Sequence, residues 1–519
     1  MSPEVDAEVE VEAPTAVETP WRRLDVRMLV VGPLGSLGRL LPVVVILLIT
    51  GQGDVTRLWI ALAVAVLVVL AGVVRWRTTR YRITAERVEL HSGWLNRQRR
   101  SVPRDRIRTV DLTAKLLHRA FGLSTVQVSS ASKAVADASG QLSLDAVSKA
   151  EADLLRRELL DRSPASDAAP TSPAVAAGPP PAQELARLDW SWLRYAPLTF
   201  SSLAGIGAIG ATAFNLVDDL GVDPRDIGAV DAAAERLGSA PVWLAVLVVV
   251  TVVLALAVVG ALLLFAERWY DYRLTREPAG WGAGSGTLRV KRGLLTRRSL
   301  SVSEDRLRGA EIIEPLLLRA GRGAQCRALS SGLPGDAQGG ALQPPAPRAE
   351  AHRVASVALR EHPSQITEAT LRRHPRAALT RRMTRALMPT AVLVAVAFVL
   401  GSVLPPVAWL GPWSLLLVPV AVFLGFDRYR NLGHELTARY LVSRQGSAVR
   451  QTVALQRTGV IGWTFRQSIF QRRSGLVTLE AVTAAGQGGY TVLDVAAQDA
   501  VALADAATPH LLTPFLLRA

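Results

Sequence analysis

The stretch LWIALAVAVLVVLAGVV, Leu58 to Val74, runs seventeen residues without a charge or a proline. A helix needs about 20 apolar residues to cross a bilayer, with a range of roughly 17 to 25. Nothing else in the chain limits its fold as strongly. Five more runs qualify or nearly do. They are LLPVVVILLIT (Leu40 to Thr50) with its flanks, about Tyr195 to Val217, Pro241 to Ala266, about Ala386 to Leu404, and about Trp409 to Phe426. The short connections GQGDVTR, DDLGVDPRDIGAVDAAAERLGSA and PPVAWLGP join them into three hairpins, and far longer stretches separate the pairs. Half the residues are apolar and a fifth are charged, a balance that suits a protein part membrane and part aqueous.

Charge orients the hairpins, because Lys and Arg near membrane ends stay in the cytoplasm. Arg75 to Arg108 holds eleven arginines and three acids, whereas the middle hairpin connection holds six acids and two arginines. The long segments and both termini are therefore expected inside. Each odd-numbered run opens on an arginine followed by a proline: Arg39 and Pro42, Arg194 and Pro197, Arg385 and Pro389. Proline suits a first helical turn and arginine can snorkel to the headgroups, so these helices are expected to start there. RRLDVRMLVVGPLGSLG would then lie along the interface. The first twenty residues carry six acids and no base, which reads as a disordered tail and not a signal peptide.

An arginine-rich stretch follows the hairpins three times. Setting Gly93 over Gly293 and Gly446 puts Arg97 on Arg297 and Arg450, Val102 on Val302 and Leu455, and Arg119 on Arg319 and Arg472. YRIT (from Tyr81), YRLT (from Tyr272) and HELT (from His434) open the copies. A period this long means duplicated domains. YRITAERVELHSG alternates apolar and polar residues and turns at a glycine, giving a hairpin with WLNRQRRSVPRD. IRTVDLTA and TVQVSSAS read as further strands around a short helical turn, LLHRAFGL. QLSLDAV then leads into the helix SKAEADLLRRELLDRS, which spaces Ala152, Leu155, Leu159 and Leu160 along one face. The third copy follows the same plan through LVTLEAVTA, YTVLDVA and AQDAVALADAA. In the second, the insertion LPGDAQGGALQPPAPRAEAH interrupts it.

The stretch from YRIT through SGWLNRQRRSVPRDRIRTVDLTAKLLHRAFGLSTVQVSS closely resembles the bacterial pleckstrin-homology-like (PH-like) domain, also called the membrane-flanked domain. Three copies with three hairpins resemble its larger, YdbT-like members. The resemblance is strong in the first copy, fair in the second and degraded in the third. It implies a split β-barrel capped by a C-terminal helix, in a bacterial cytoplasmic-membrane protein, and it brings no catalytic residue with it.

The expected fold is thus about six transmembrane helices in hairpins alternating with three α+β PH-like domains. The expected layout is an acidic tail (1–20), a juxtamembrane segment and hairpin (21–76), a PH-like domain (77–162), a Pro/Ala-rich linker (163–184), a second hairpin (185–267), a second PH-like domain (268–375), a third hairpin (376–427) and a third domain (428–510).

Chemistry is hard to find. Phosphate loops, HExxH and the Gly-x-Ser-x-Gly elbow are absent. The seven histidines form no i, i+4 pair, and His118 and His434 read as interfacial or surface residues. The one cysteine, Cys326, reads as a small buried residue. No enzyme, cofactor or metal site is expected. The apolar spans carry almost no polar residue, and Thr251, the most central one, can bond its own backbone; this weighs against the alternative of a transporter or a transporter's accessory subunit. Net charge is +15, and 55 of the 59 basic residues are arginine. Nucleic-acid binding would call for aromatics interleaved with the basic residues, and aromatics are only 6%. Binding remains. Arg97, Arg99, Arg100, Arg104 and Arg106, with Arg297 and Arg298, are the candidate contacts to anionic lipid, each worth about 1 kcal/mol close to the membrane. The same faces can be a merely solvated, positive-inside surface. A protein partner or self-association is the other partner expectation, and the expected role is a non-catalytic binding or assembly module serving the cell envelope.

Overall fold

The computed structural model describes residues 20–35, 55–84, 86–94, 97–104, 107–130, 141–160, 182–199, 241–278, 286–331, 340–361, 366–509 and 511–515. One plan of strands recurs three times along them. In the first unit β1 (Arg22–Arg23), β2 (Arg80–Ile83), β3 (Arg87–Ser92) and β4 (Gln98–Pro103) form one antiparallel sheet. Strands β5 (Ile107–Ala114), β6 (Leu123–Ser130) and β7 (Gln141–Ser148) form a second layer, followed by the helix Lys149–Leu160. Alternate residues explain the core. Val126 and Val128 on β6 and Leu142 and Leu144 on β7 point inward, and Ala152, Leu155 and Leu159 of the helix close over them.

The second unit holds β8 (Gln183–Arg187), β9 (Arg273–Glu277), β10 (Thr287–Arg292) and β11 (Arg297–Ser303), then β12 (Leu307–Pro315), β13 (Gly323–Ser330), β14 (Ala346–Pro347) and the helix Arg348–Ala358. The third holds β15 (Gly433–Leu436), β16 (Tyr440–Gln445) and β17 (Val449–Gln456), then β18 (Val460–Arg466), β19 (Leu476–Thr483), β20 (Gly489–Ala496) and the helix Ala497–Ala507. The repeat reaches into backbone detail. Gly93, Gly293 and Gly446 all have positive φ at the hairpin turn. A Cβ at Gly293 would lie 2.0 Å from the Thr296 carbonyl, and one at Gly446 1.9 Å from that of Val449, so both turns require glycine. A bulge opens β5, β12 and β18 at one repeat position, between Ile107/Thr109, Leu307/Gly309 and Val460/Gly462.

The units are fused through their sheets. β5 of the first pairs antiparallel with β11 of the second, making a seven-stranded sheet from β7 to β8. β12 of the second pairs antiparallel with β17 of the third, making a six-stranded sheet from β14 to β15. Ion pairs back both ladders. At the first junction Arg156, buried on the helix Lys149–Leu160, donates to Glu277 at 2.6 Å, and Arg289 reaches both Glu277 and Asp153 at 3.1 Å. Burial alone would raise the Glu277 pKa, but the two guanidinium groups outweigh it and hold the carboxyl below its usual value. At the second junction Arg450 grips Glu314 with two bonds of 2.6 Å.

Among the described residues three segments are long and apolar enough, by length and composition, to cross a membrane: Val242–Trp269, Arg376–Val403 and Pro405–Arg430. The helix Val55–Thr78, at 24 residues, carries the run around Leu58 to Val74. Thr251 donates to the Leu247 carbonyl at 2.7 Å, as expected of a lone threonine in a span. The run at Leu40 to Thr50 and the part of the third run beyond Thr199 lie outside the described residues, as do residues 1–19.

Three sequence expectations are corrected. Residues 21–35 belong to the first unit and are not a separate juxtamembrane segment: β1 pairs with β2, Leu24, Met28 and Val31 are buried in its core, and Trp76 donates to the Leu24 carbonyl at 3.0 Å. Residues 183–198 belong to the second unit and not to a membrane hairpin. β8 joins its sheet, and the 3₁₀ turn Trp190–Leu198 buries Trp192, Tyr195 and Ala196 against its core. A hydropathy window could not separate this apolar turn from a span, because Trp192, Tyr195 and Ala196 are apolar enough for either and only the fold covers them. Finally, the helix of the third hairpin starts at Arg376, nine residues before Arg385, so Pro389 sits inside it.

That early start has a cause. Arg381 and Arg382, both on the helix Arg376–Val403, converge on the fully buried Asp494 of β20, which also accepts from Gln471 at 2.8 Å. His374 Nδ1 lies 3.2 Å from the Asp494 carbonyl, and His434 Nδ1 lies 3.0 Å from His374 Nε2. His434 is therefore buried, contrary to its sequence reading. Burial depresses both imidazoles, His434 to about 4, where His374 and Arg372 add repulsion.

Two outcomes follow. Asp494→Ala strands two buried guanidinium groups and is expected to destabilise the third unit by about 3–5 kcal/mol, read as a lowered melting temperature of the purified protein. The two histidines make stability pH-dependent. Their folded pKa values lie below the unfolded value of about 6.5, so on acidification the unfolded chain binds protons first. The stabilisation is whole above pH ~6.5 and is lost towards pH ~4. His434→Gln should flatten that slope in melting curves recorded between pH 7.5 and 4.5; an unchanged slope contradicts the assignment.

Candidate functional site

The foot of the helix Val242–Trp269 is built from backbone bonds to a strand turn. Gly293 donates its N–H to the Tyr270 carbonyl at 2.9 Å, and Leu294 donates to the Glu267 carbonyl at 2.8 Å. The turn between β10 and β11 is thus locked against the end of a span. The residues flanking it are basic: Lys291 and Arg292 before, Arg297 and Arg298 after. Arg292 lies over the Trp269 ring, 4.3 Å from its centroid, a cation–π contact that fixes the guanidinium at the helix foot.

The first unit supplies the opposite wall. Arg119, at the end of the short helix Leu116–Ala120, donates to the Leu294 carbonyl at 2.8 Å across the junction. Between the walls lies a cleft of about 380 Å³, lined by Arg119, Lys149, Lys291, Arg292, Arg297 and Arg298 among others. Its two acids are engaged elsewhere, Asp153 with Arg289 and Arg156, and Asp271 with Arg273. The crowding of cations registers electrostatically. Burial, and then Arg298, bring the Arg292 pKa down to about 10. Burial and Arg289 lower that of Lys291. Both of these cations are less comfortable charged than in water, and an anion in the cleft would relieve that. At about 380 Å³ the cleft has room for a phosphate group.

The candidate arginines of the sequence separate into groups. Arg297 and Arg298 are exposed on β11 and line the cleft. Arg97 and Arg99 are exposed at β4, and Arg100 is half-buried, with Nη2 donating to Gln98 Oε1 at 3.2 Å. Arg100 also lines a second hollow against the helix Val55–Thr78, together with Arg75 and the exposed Trp94. Arg104 is not a surface contact. It donates to the Glu158 carbonyl in the last turn of the helix Lys149–Leu160, and Arg457 does the same for the Ala506 and Ala507 carbonyls in the third unit. Both cap a helix C-terminus, where a cation is favoured. Arg106 lies outside the described residues.

Sequence reading missed Arg119, Lys291 and Arg292 as partners of Arg297 and Arg298. Arg292 and Lys291 directly precede the repeat glycine, which was a usable signal. Arg119 was not reachable, because only the pairing of β5 with β11 brings it there. Among the described residues no cluster of three or more His, Cys, Asp or Glu could hold a metal ion.

Arg104→Ala should lower the melting temperature, with a loss of about 1.5–3 kcal/mol for a charged hydrogen bond, and should leave anion binding unchanged. A loss of binding with stability intact would return Arg104 to the ligand surface.

Comparison with known proteins gives two matches. Residues 33–163 and 391–508 match the family model described as Bacterial PH domain. The transmembrane protein YdbT of Bacillus subtilis (strain 168) is 23% identical over 474 residues, which cover 87% of this chain and 90% of that protein. No solved structure matches the chain.

Proposed function

Because two segments match the bacterial PH domain model and most of the chain is similar to a transmembrane protein, we propose that it is a non-catalytic, multi-pass platform that binds anionic phospholipid headgroups at the inner face of the bacterial cytoplasmic membrane. In this reading the middle β unit is a third PH-like domain. The spans number about six, in three hairpins, and both termini are cytoplasmic.

One observation carries the reading: the basic cleft is fastened to the foot of the helix Val242–Trp269 by the bonds from Gly293 and Leu294. A turn held there lies at headgroup depth once the helix spans the bilayer. The inner-leaflet surface is negative, and each arginine near it contributes about 1 kcal/mol. The membrane-borne phosphate is preferred over a free one because Trp269 and Arg292 join the cleft to the interface, where Trp and Arg belong. The third unit lacks this basic set. Its Arg450, in the repeat place of Arg297, is consumed by Glu314.

The test uses the purified full chain in neutral detergent, titrated with a short-chain phosphatidylglycerol and, separately, with inorganic phosphate. Saturable binding of the lipid that weakens at high salt is expected. The double substitution R297Q/R298Q should weaken it by about 10- to 30-fold, the equivalent of ~1 kcal/mol per arginine. Equal affinity for inorganic phosphate, or no effect of the substitutions, would sink the lipid reading.

A further inference from the structure

The two junctions between units are one junction made twice. In each, the first strand of a unit's second layer pairs antiparallel with the last strand of the next unit's first sheet: β5 with β11, then β12 with β17. The registers agree residue for residue. Thr113 faces Arg298 in the first, and Ile313, its repeat equivalent, faces Gln451, the equivalent of Arg298, in the second. Thr109 faces Val302, and Gly309 faces Leu455, likewise equivalent. An arginine at one repeat position bonds across each: Arg119 to the Leu294 carbonyl and Arg319 to Asp427 at 2.9 Å.

A chain built this way ends on two unmatched halves. Among the described residues, β4 of the first unit pairs only with β3, and β18 of the third only with β19. These are the two strand types that meet at a junction. β18 is dressed for a partner. Phe465 is 40% exposed, whereas its equivalents on the paired strands, Leu112 and Ile312, are 8% and 0% exposed. Ile461 on the same strand is 63% exposed. Gly462 has open space around it, whereas Gly309, in the same place on β12, lies against the Ala454 carbonyl of the next unit. Arg472, the equivalent of Arg119 and Arg319, is exposed. Arginines on β4 are no obstacle, since β11 carries Arg297 and Arg298 and is paired all the same.

We infer that β18 of one copy pairs antiparallel with β4 of a second copy, so that the protein assembles head to tail through the junction it already contains. The internal registers fix the new one: Arg466 faces Gln98, Phe465 faces Arg99, Thr464 faces Arg100 and Gly462 faces Val102. Arg472 then meets the turn at Trp94, as Arg119 meets the turn at Leu294. The contact is heterologous, so the assembly is a ring if the rotation closes and a filament if it does not. In the second and third units the strand turn bonds to the end of that unit's own membrane segment, and in the first the turn at Trp94 lines a hollow against the helix Val55–Thr78. An added copy therefore brings its spans in on the same side. This pairing goes beyond headgroup binding and does not rest on it.

Cysteine cross-linking tests it cleanly, because the chain's only cysteine, Cys326, is buried. Full-length Q98C and R466C chains carrying different tags are co-expressed in membranes and oxidised. A disulfide-linked product containing both tags is expected, since directly opposite residues bring their Cα atoms within bonding range. Q98C with F465C should give at least fivefold less, because neighbouring strand residues point to opposite faces. In a second measurement, light scattering of the unmodified protein should give a multiple of 55.6 kDa, with association weakened at least tenfold by F465K and the melting temperature unchanged. A monomer at all concentrations, equal yields from both cysteine pairs, or association indifferent to F465K would each overturn the inference.

Discussion

The antiparallel ladders between β5 and β11 and between β12 and β17 hold this molecule in its shape. A small β unit alone buries little and exposes edge strands, which are a liability in water. Here the strands that meet at the two junctions are covered by the neighbouring unit, and residues that would sit on a surface, such as Ile312 and Glu314, become core. The ladders also set the distance between membrane segments, because each unit is bonded to the foot of its own helix. The basic cleft exists only because the first junction brings Arg119 beside the turn at Gly293.

Arginine does four different jobs in this chain. Arg156, Arg289 and Arg450 are spent on ion pairs between units. Arg104 and Arg457 close helix ends. Arg381 and Arg382 lock a helix to the third unit. Arg297 and Arg298 face an open cleft. The net charge of +15 therefore overstates the charge available to a ligand. The four jobs are decided by what each strand packs against and not by the residue type, so an alternating basic pattern alone could not sort them.

Local structure was readable from sequence to a useful degree. IRTVDLTA is β5 and QLSLDAV lies within β7, and the helix after it buries Ala152, Leu155 and Leu159 as their spacing requires. Such features depend on residues a few positions apart. What could not be read was non-local. The partner of β5 lies nearly two hundred residues away, and no hydropathy pattern distinguishes a strand that ends a sheet from one that continues into the next unit. Tyr195 shows the same limit, since an apolar window looks alike whether lipid or a β core covers it. His434 stands where two other copies have a tyrosine, Tyr81 and Tyr272, and its burial was legible only through that repeat.

The helix Arg376–Val403 leaves the apolar zone well before it ends, and its first ten residues span about 14 Å at 1.5 Å per residue. Two of those residues are bolted to Asp494, deep in the third unit. Helix and unit are consequently joined as one piece. The stem is a crank in its geometry: a tilt of this helix turns the third unit by the same angle, and the ladder between β12 and β17 passes that turn to its neighbours. The angle of one helix is thereby written into the posture of all three units.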